Sequence, residues 1–221
     1  IYNTYVLESA EKEGVLVINK PASLRDCNEK VFATEFPECC TPFLVSSEAS
    51  LLKSFIEDHK DTVIKPLDGM GGSSIFRLRN TDPNLNVILE TITDSFKTKV
   101  MIQTYIPEIT DGDKRVLLIN GMPMNAAVAR VPAVGELRGN LAAGASAVAR
   151  SLTEKDLWIC EQVGPKLKDL GLVLVGLDII GDYLTEINVT SPTCFREYER
   201  LCDINVALSF LDAIEDIQKN D

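Results

Sequence analysis

Gly176-Leu177-Asp178-Ile179-Ile180-Gly181-Asp182-Tyr183-Leu184-Thr185-Glu186-Ile187-Asn188-Val189-Thr190-Ser191-Pro192 sets an acid in an apolar run and follows it with Glu-x-Asn. Residues 172–180 are apolar almost throughout, the pattern of a strand covered on both faces. A bare Asp178 in such a strand is costly unless something positive sits against it. Gly181-Asp182 marks a turn, and residues 183–189 read as the returning strand. With residues 181–183 as the turn, Asp178 lies directly across from Glu186, and Asn188 follows two positions on along the same face. Three oxygen ligands then converge. A hard divalent ion such as Mg²⁺ turns the repulsion between two carboxylates into binding and usually brings phosphate oxygens with it. A two-residue turn sends Asp178 and Glu186 to opposite faces and leaves a common hairpin with surface acids.

A phosphate chain has a second place to sit, about a hundred residues upstream of this hairpin. Lys65 ends an apolar strand just before Pro66-Leu67-Asp68-Gly69-Met70-Gly71-Gly72-Ser73, so its ammonium points where the loop's backbone N–H groups point. Gly69, Gly71 and Gly72 admit a phosphate chain without Cβ clashes. The loop is neither a Walker motif, which ends in Gly-Lys-Ser/Thr, nor a dinucleotide fingerprint, which opens a helix. On its own it is also a hairpin turn; beside the acid trio the phosphate reading prevails. Gln103-Thr104-Tyr105-Ile106-Pro107 leaves the extended conformation at Pro107 and exposes backbone groups beside an apolar wall, where an adenine can lie. Asp113 and Arg115 share one face of the next strand, placed for a sugar and for a carboxylate or phosphate, or for a plain surface ion pair.

The composition narrows the class. With 221 residues, 45% of them hydrophobic, the chain can bury a core as one domain or two small ones. A net charge of -11 argues against a nucleic-acid surface. Residues 130–150 reverse the balance locally, with Arg130, Arg138 and Arg150 against Glu136 alone, which suits an anionic ligand or a solvated loop. No apolar segment reaches the roughly 18 residues of a membrane span. Cys27, Cys39, Cys40, Cys160, Cys194 and Cys202 show no paired metal spacing and read as free thiols of a reducing cytoplasm. With His59 as the single histidine, a His-rich metal site is excluded, and a Ser-His-Asp triad has to use that residue. The chain begins with Ile1 and has no leader-like start, so it is expected to be a fragment lacking an N-terminal part.

Periodicity orders the elements. Strands are expected at 15–19, 43–45, 62–65, 74–78, 99–104, 114–119 and 124–129. Helices are expected at 2–12, 23–33 from a capping box at Ser23-Leu24-Arg25-Asp26, 47–60, 87–93, 153–170 and 203–217. Asn120-Gly121 is a tight turn, and 131–151 shows no regular pattern. The layout is α+β, with helices packed on mixed or antiparallel sheets. Residues 1–36 look like the end of one unit, with 37–106 and 107–221 forming the two that follow.

These motifs together resemble the bacterial glutathione synthetase family of the ATP-grasp fold. The likeness runs through Asn19-Lys20-Pro21, Ser23 to Lys30, the loop after Lys65, Asp111-Gly112-Asp113-Lys114-Arg115-Val116, Arg138-Gly139-Asn140-Leu141-Ala142-Ala143-Gly144 and the opening stretch. It implies two mixed or antiparallel sheets with the nucleotide between them. It also implies ATP-dependent joining of γ-glutamylcysteine to glycine through an acyl phosphate. Lys30 and Lys65 then contact phosphates with Gly69, Gly71, Gly72 and Ser73; Gln103, Tyr105 and Ile106 hold adenine; Asp113 meets the ribose. Asp178, Glu186 and Asn188 match the magnesium ligands, where Mn²⁺ is a possible substitute. Arg115, Arg130, Arg138 and Asn140 match positions near the acyl phosphate and the peptide substrate, and Ser191 and Thr193 meet the substrate's terminal groups. Residues 131–147 become a lid that keeps water from the acyl phosphate. The partners implied are small molecules, with a cytoplasmic homo-oligomer expected of the full-length protein. Two departures stand out. The family's loop continues after Gly144 with more glycine and an arginine where this chain has Ala145-Ser146-Ala147-Val148-Ala149. The family also carries an N-terminal domain of about a hundred residues. Another ATP-grasp carboxylate–amine ligase, or an ATP-binding module without catalysis, are the alternative readings.

Overall fold

The computed structural model describes residues 1–221 apart from Met70, Ala142, Ala143 and Asp221. The chain opens with helices α1 (Tyr2–Lys12) and α2 (Pro21–Asp26) and two short 3-10 turns, Phe32–Glu35 and Pro37–Cys39. Then come β1 (Phe43–Ser46), α3 (Ala49–His59), β2 (Asp61–Pro66), β3 (Phe76–Arg79), α4 (Leu85–Ile92) and β4 (Val100–Thr104). These strands form one sheet in the order β1-β4-β2-β3. Because side chains alternate along a strand, Ile64 of β2 faces one side while Val63 and Lys65 face the other. On the first side Leu52 and Ile56 of α3 and Leu89 of α4 bury themselves against Ile64, Leu78, Val100 and Ile102. Each such side chain contributes about 1.5–3 kcal/mol on burial.

A 3-10 turn, Pro107–Asp111, leads into β5 (Asp113–Ile119), β6 (Met122–Pro123), β7 (Ala127–Val131), β8 (Ser146–Arg150), α5 (Glu154–Asp169), β9 (Leu174–Ile180) and β10 (Tyr183–Asn188). The second sheet runs β10-β9-β5-β7-β8, with β6 on β5. Every pairing recorded among the described residues is antiparallel. Val116, Leu118, Val175, Leu177 and Ile179 face α5, where Ile159, Val163 and Leu167 meet them. The alternate positions Leu117 and Ile119 pack under α6 (Phe195–Cys202) and α7 (Val206–Asn220) through Tyr198 and Val206. Asp113, Arg115 and Asp178 lie on this second face beyond the helices' cover, and there it opens into a cavity. The backbone turn at Asn120 and Gly121 has positive φ at both residues, and Gly164 of α5 rests on it so closely that a Cβ there would sit 2.4 Å from Gly121 O.

Several expected elements differ. Residues 15–19 pair with no strand; instead the Asn19 side chain donates to Leu174 O and Val189 O and accepts from Leu174 N. The capping box at Ser23 does not form, because α2 starts at Pro21 and the Ser23 hydroxyl donates to Leu170 O. The helix expected through residue 33 ends at Asp26, and Cys27, Phe32, Phe36 and Cys39 join the apolar cluster under α5. The span 131–151 is not wholly irregular: β8 pairs with β7 from Val131↔Ser146 to Ala127↔Arg150. The helix expected at 203–217 is present as a helix from Val206, and a separate helix that was not expected, Phe195–Cys202, precedes it and ends at Asp203 in the left-handed region.

Candidate functional site

The hairpin β9–β10 forms the floor. Its turn is the two residues Gly181 and Asp182, since Tyr183 pairs with Ile180 and Leu184 with Ile179. This corrects the three-residue turn. The faces still agree, because a bulge at Thr185 shifts the register so that Glu186 pairs with Asp178 and Asn188 with Gly176. The bulged residue is not idle: Thr185 Oγ1 donates to Asp178 O at 3.1 Å. Asp178, Glu186 and Asn188 all line one cavity of about 530 Å³ between the two sheets.

The positive partner of Asp178 comes from the chain itself. Arg115 donates through Nε to Oδ1 at 2.6 Å and through Nη2 to Oδ2 at 3.1 Å, and Arg130 Nη2 lies 2.9 Å from Oδ2. Burial pushes the Asp178 carboxyl up, but the two guanidiniums outweigh it and hold the group at about 2. The burial of this acid therefore does not by itself call for a metal ion. Arg130 is shared with Asp113, donating to its Oδ2 and its carbonyl. Burial raises Asp113 to about 7, against the pull of Arg130. Its Oδ1 is buried with no partner, an acceptor waiting for a donor from the cavity.

Lys65 reaches from β2 across to the second sheet, with Nζ donating to Thr185 O at 3.4 Å and lying 3.6 Å from Glu186 Oε1. Lys30 Nζ stands equally far from that oxygen and also donates to Glu29 Oε1 and Gly69 O. Two buried ammoniums thus converge on one carboxylate at ion-pair rather than hydrogen-bond distance. Asn188 donates from Nδ2 to Gly176 O at 3.4 Å. No group of three His, Cys, Asp or Glu that could hold a metal occurs among the described residues. The donor set is two carboxylates and an amide, all oxygen, which fits a hard cation such as Mg²⁺ and not zinc.

Gly69, Gly71, Gly72 and Ser73 line the same cavity, and Met70 between them lies outside the described residues. Gly72 has φ +78°, and a Cβ there would sit 2.5 Å from Asn140 Oδ1 and 2.9 Å from Arg138 Cδ. At the far end Gln103, Tyr105 and Ile106 form a wall with Val63, Ile75 and Ile109. Arg138, Asn140, Ser191 and Thr193 also line the cavity, and Arg115 Nη1 donates to Thr193 Oγ1 at 3.4 Å. Every residue named from sequence for nucleotide, metal or substrate contact thus lines one space. The expected local positive balance does not: Arg130 is taken by two acids, Arg138 pairs with Glu136, and Arg150 is absent from the lining. Of the loop expected as a lid, residues 137–141 line the cavity, while Ala142 and Ala143 lie outside the described residues.

Sequence reasoning missed Glu29, Val63, Arg77, Thr185 and Glu197, which also line the space. Register could have found two of them. Val63 pairs with Gln103 on one side and Arg77 on the other, so the three form one row across the sheet.

A family model described as the prokaryotic glutathione synthetase ATP-grasp domain matches residues 29–203. The glutathione synthetase of Pseudomonas aeruginosa is 57% identical over 214 residues, covering 97% of this chain and 68% of that protein. That of Vibrio parahaemolyticus is 54% identical over 215 residues, with the same shares covered. Among solved structures, the ATP-grasp ligase PsnB complexed with minimal precursor, Mg and ADP aligns at TM-score 0.71 and 19% identity, covering 98% of this chain and 67% of PsnB. The D-alanine–D-alanine ligase of Bacillus anthracis complexed with ATP aligns at TM-score 0.57 and 12% identity, over 88% of this chain and 68% of the ligase.

Proposed function

We infer the function from one premise: the chain belongs to the prokaryotic glutathione synthetase ATP-grasp family. It is an ATP-dependent carboxylate–amine ligase, and its reaction is that of a glutathione synthetase. In this reading γ-glutamylcysteine and glycine are joined, and ATP becomes ADP and phosphate. The observation that supports it most is the meeting of Lys30, Lys65, Arg115, Arg130 and the Asp178–Glu186–Asn188 face in one cavity between two sheets.

The chemistry follows from those side chains. A carboxylate is a poor electrophile, so the γ-phosphoryl group is first moved onto it, and glycine's amine then displaces phosphate from the acyl phosphate. Lys30 and Lys65 hold phosphate oxygens over the backbone of Gly69, Gly71, Gly72 and Ser73. Gln103, Tyr105 and Ile106 take the adenine, and Asp113 Oδ1 accepts from a ribose hydroxyl. Asp178, Glu186 and Asn188 would hold Mg²⁺, or Mn²⁺ in its place. When bound, that ion neutralises charge on the phosphate oxygens. Arg115, Arg130, Arg138 and Asn140 face the acyl phosphate, while Ser191 and Thr193 hold the substrate's terminal groups. Loop 131–147 excludes water. Residues 37–106 and 107–221 act as the two subdomains, each with its own sheet. The free cysteines suit a cytoplasmic enzyme, and no helix among the described residues is long and apolar enough to cross a membrane. We assign homo-oligomers to the full-length protein.

ADP release, measured on the full-length protein with Mg²⁺, is expected only when γ-glutamylcysteine and glycine are both present. Release with a different acid and amine from a panel would move the chain to a neighbouring ligase. Silence with nucleotide still bound would leave a binding module.

Gly72→Ala tests the phosphate loop. The methyl would meet Asn140 and Arg138, and a left-handed backbone costs an L-residue about 1–2 kcal/mol. ATP affinity should fall about ten-fold, while the melting temperature moves little because the loop carries no core. Titration with a fluorescent ATP analogue reads the result, and unchanged affinity would place the phosphates elsewhere.

A further inference from the structure

We propose that Arg77 is a positioning residue for the nucleotide base, acting through Tyr105. The inference rests on the nucleotide reading of the cavity and adds to it a residue that the sequence motifs do not contain. Arg77 projects from β3 into the cavity in the row it shares with Val63 and Gln103. Its guanidinium carbon stands 3.6 Å from the centroid of the Tyr105 ring, a cation–π contact on the wall where the adenine is placed.

The guanidinium is itself held. Nε and Nη2 donate to Asp61 Oδ1 and Oδ2 at 2.7 and 2.6 Å, the parallel fork that fixes an arginine's plane. The same Asp61 accepts the backbone N–H of Tyr105 at its carbonyl, at 3.0 Å. One residue therefore anchors the main chain of Tyr105 and, through Arg77, the face of its ring. Hydrogen bonding from Arg77 keeps Asp61 at about 2, so the clamp is ionised throughout the neutral range. Without Arg77 the tyrosine ring has lost the plane that covers it, and each approach of a nucleotide has to order it again.

Arg79 supplies an internal control. It also donates to Asp61 Oδ2, at 3.1 and 2.8 Å, but its side chain is 57% exposed and does not line the cavity. Removing Arg79 disturbs the same carboxylate without uncovering Tyr105.

The experiment titrates a fluorescent ADP analogue into the full-length protein and follows KM for ATP, KM for γ-glutamylcysteine, kcat and thermal melting. Arg77→Ala is expected to weaken the analogue and raise KM for ATP about ten-fold, with kcat and the other KM held within about two-fold. Arg77→Lys keeps the charge but not the fork, so it should fall between, at an unchanged melting temperature. Arg79→Ala should bind as the unsubstituted protein does. Equal affinity in Arg77→Ala would overturn the proposal, as would an equal loss in Arg79→Ala. An unsubstituted protein that binds no analogue would remove the nucleotide site itself and this inference with it.

Discussion

Glu186→Gln is expected to lower turnover on the order of 10²–10³-fold while ATP, titrated in chelator, still binds. The exchange keeps the size of the side chain and removes its charge. In the native site that charge meets the ammoniums of Lys30 and Lys65, each 3.6 Å from Oε1 and each almost fully buried. Glutamine leaves both ammoniums without their shared carboxylate and takes away one of the oxygen donors proposed for the divalent ion. Neither loss touches Gln103, Tyr105 or Ile106, so the base keeps its wall. Chemistry should therefore fail where binding does not. ADP release and analogue titration on one preparation separate the two, and turnover within about two-fold of the native rate would remove Glu186 from the reaction.

The position of Glu186 also shows how far sequence reaches. The pairing with Asp178 is legible from alternation along two strands, yet the three-residue turn that simple alternation requires does not form. Two errors of one residue cancel: the turn is shorter, and the bulge at Thr185 restores the register. Nothing in Tyr183-Leu184-Thr185-Glu186 signals a bulge, because the bond that accompanies it runs across the hairpin, from Thr185 Oγ1 to Asp178 O on the neighbouring strand. Local patterns failed elsewhere because long-range partners decided the outcome. Ser23 has the chemistry of a cap but spends its hydroxyl on Leu170 O, 147 residues away. β8 was unreadable at Ala145-Ser146-Ala147-Val148-Ala149, since small residues of weak strand preference are recruited there by β7. Thr153, by contrast, caps α5 with Asp156 in a reciprocal box, a local device that the sequence displays in full. The cavity itself was legible because its residues come in runs: a lysine before glycines, a strand end before proline, an acid in an apolar strand. The pairing inside it was not, for Arg115, Arg130 and Asp113 meet Asp178 only once β5, β7 and β9 lie side by side.

That pairing yields the second large effect. Asp178→Asn is expected to destabilise the protein by about 3–5 kcal/mol, lowering the melting temperature on the order of 10 °C. The buried carboxylate answers two guanidiniums, and an amide answers neither charge. Arg130 would keep Asp113, but Arg115 would face no carboxylate, only one neutral amide oxygen in place of a two-oxygen fork and the 3.4 Å contact to Thr193. A fall in activity alone could then mean lost fold or lost chemistry, and a second variant divides them. Asp178→Leu combined with Arg115→Met replaces the buried pair by apolar groups of similar volume, an exchange that is often neutral or stabilising. Its melting temperature should return to within about 5 °C of the native value, while ADP release stays absent. Full stability in Asp178→Asn would mean that the arginines do not depend on this acid. Recovery of turnover in the double variant would mean that the reaction needs neither residue, and the face that Asp178 shares with Glu186 would lose its part in catalysis.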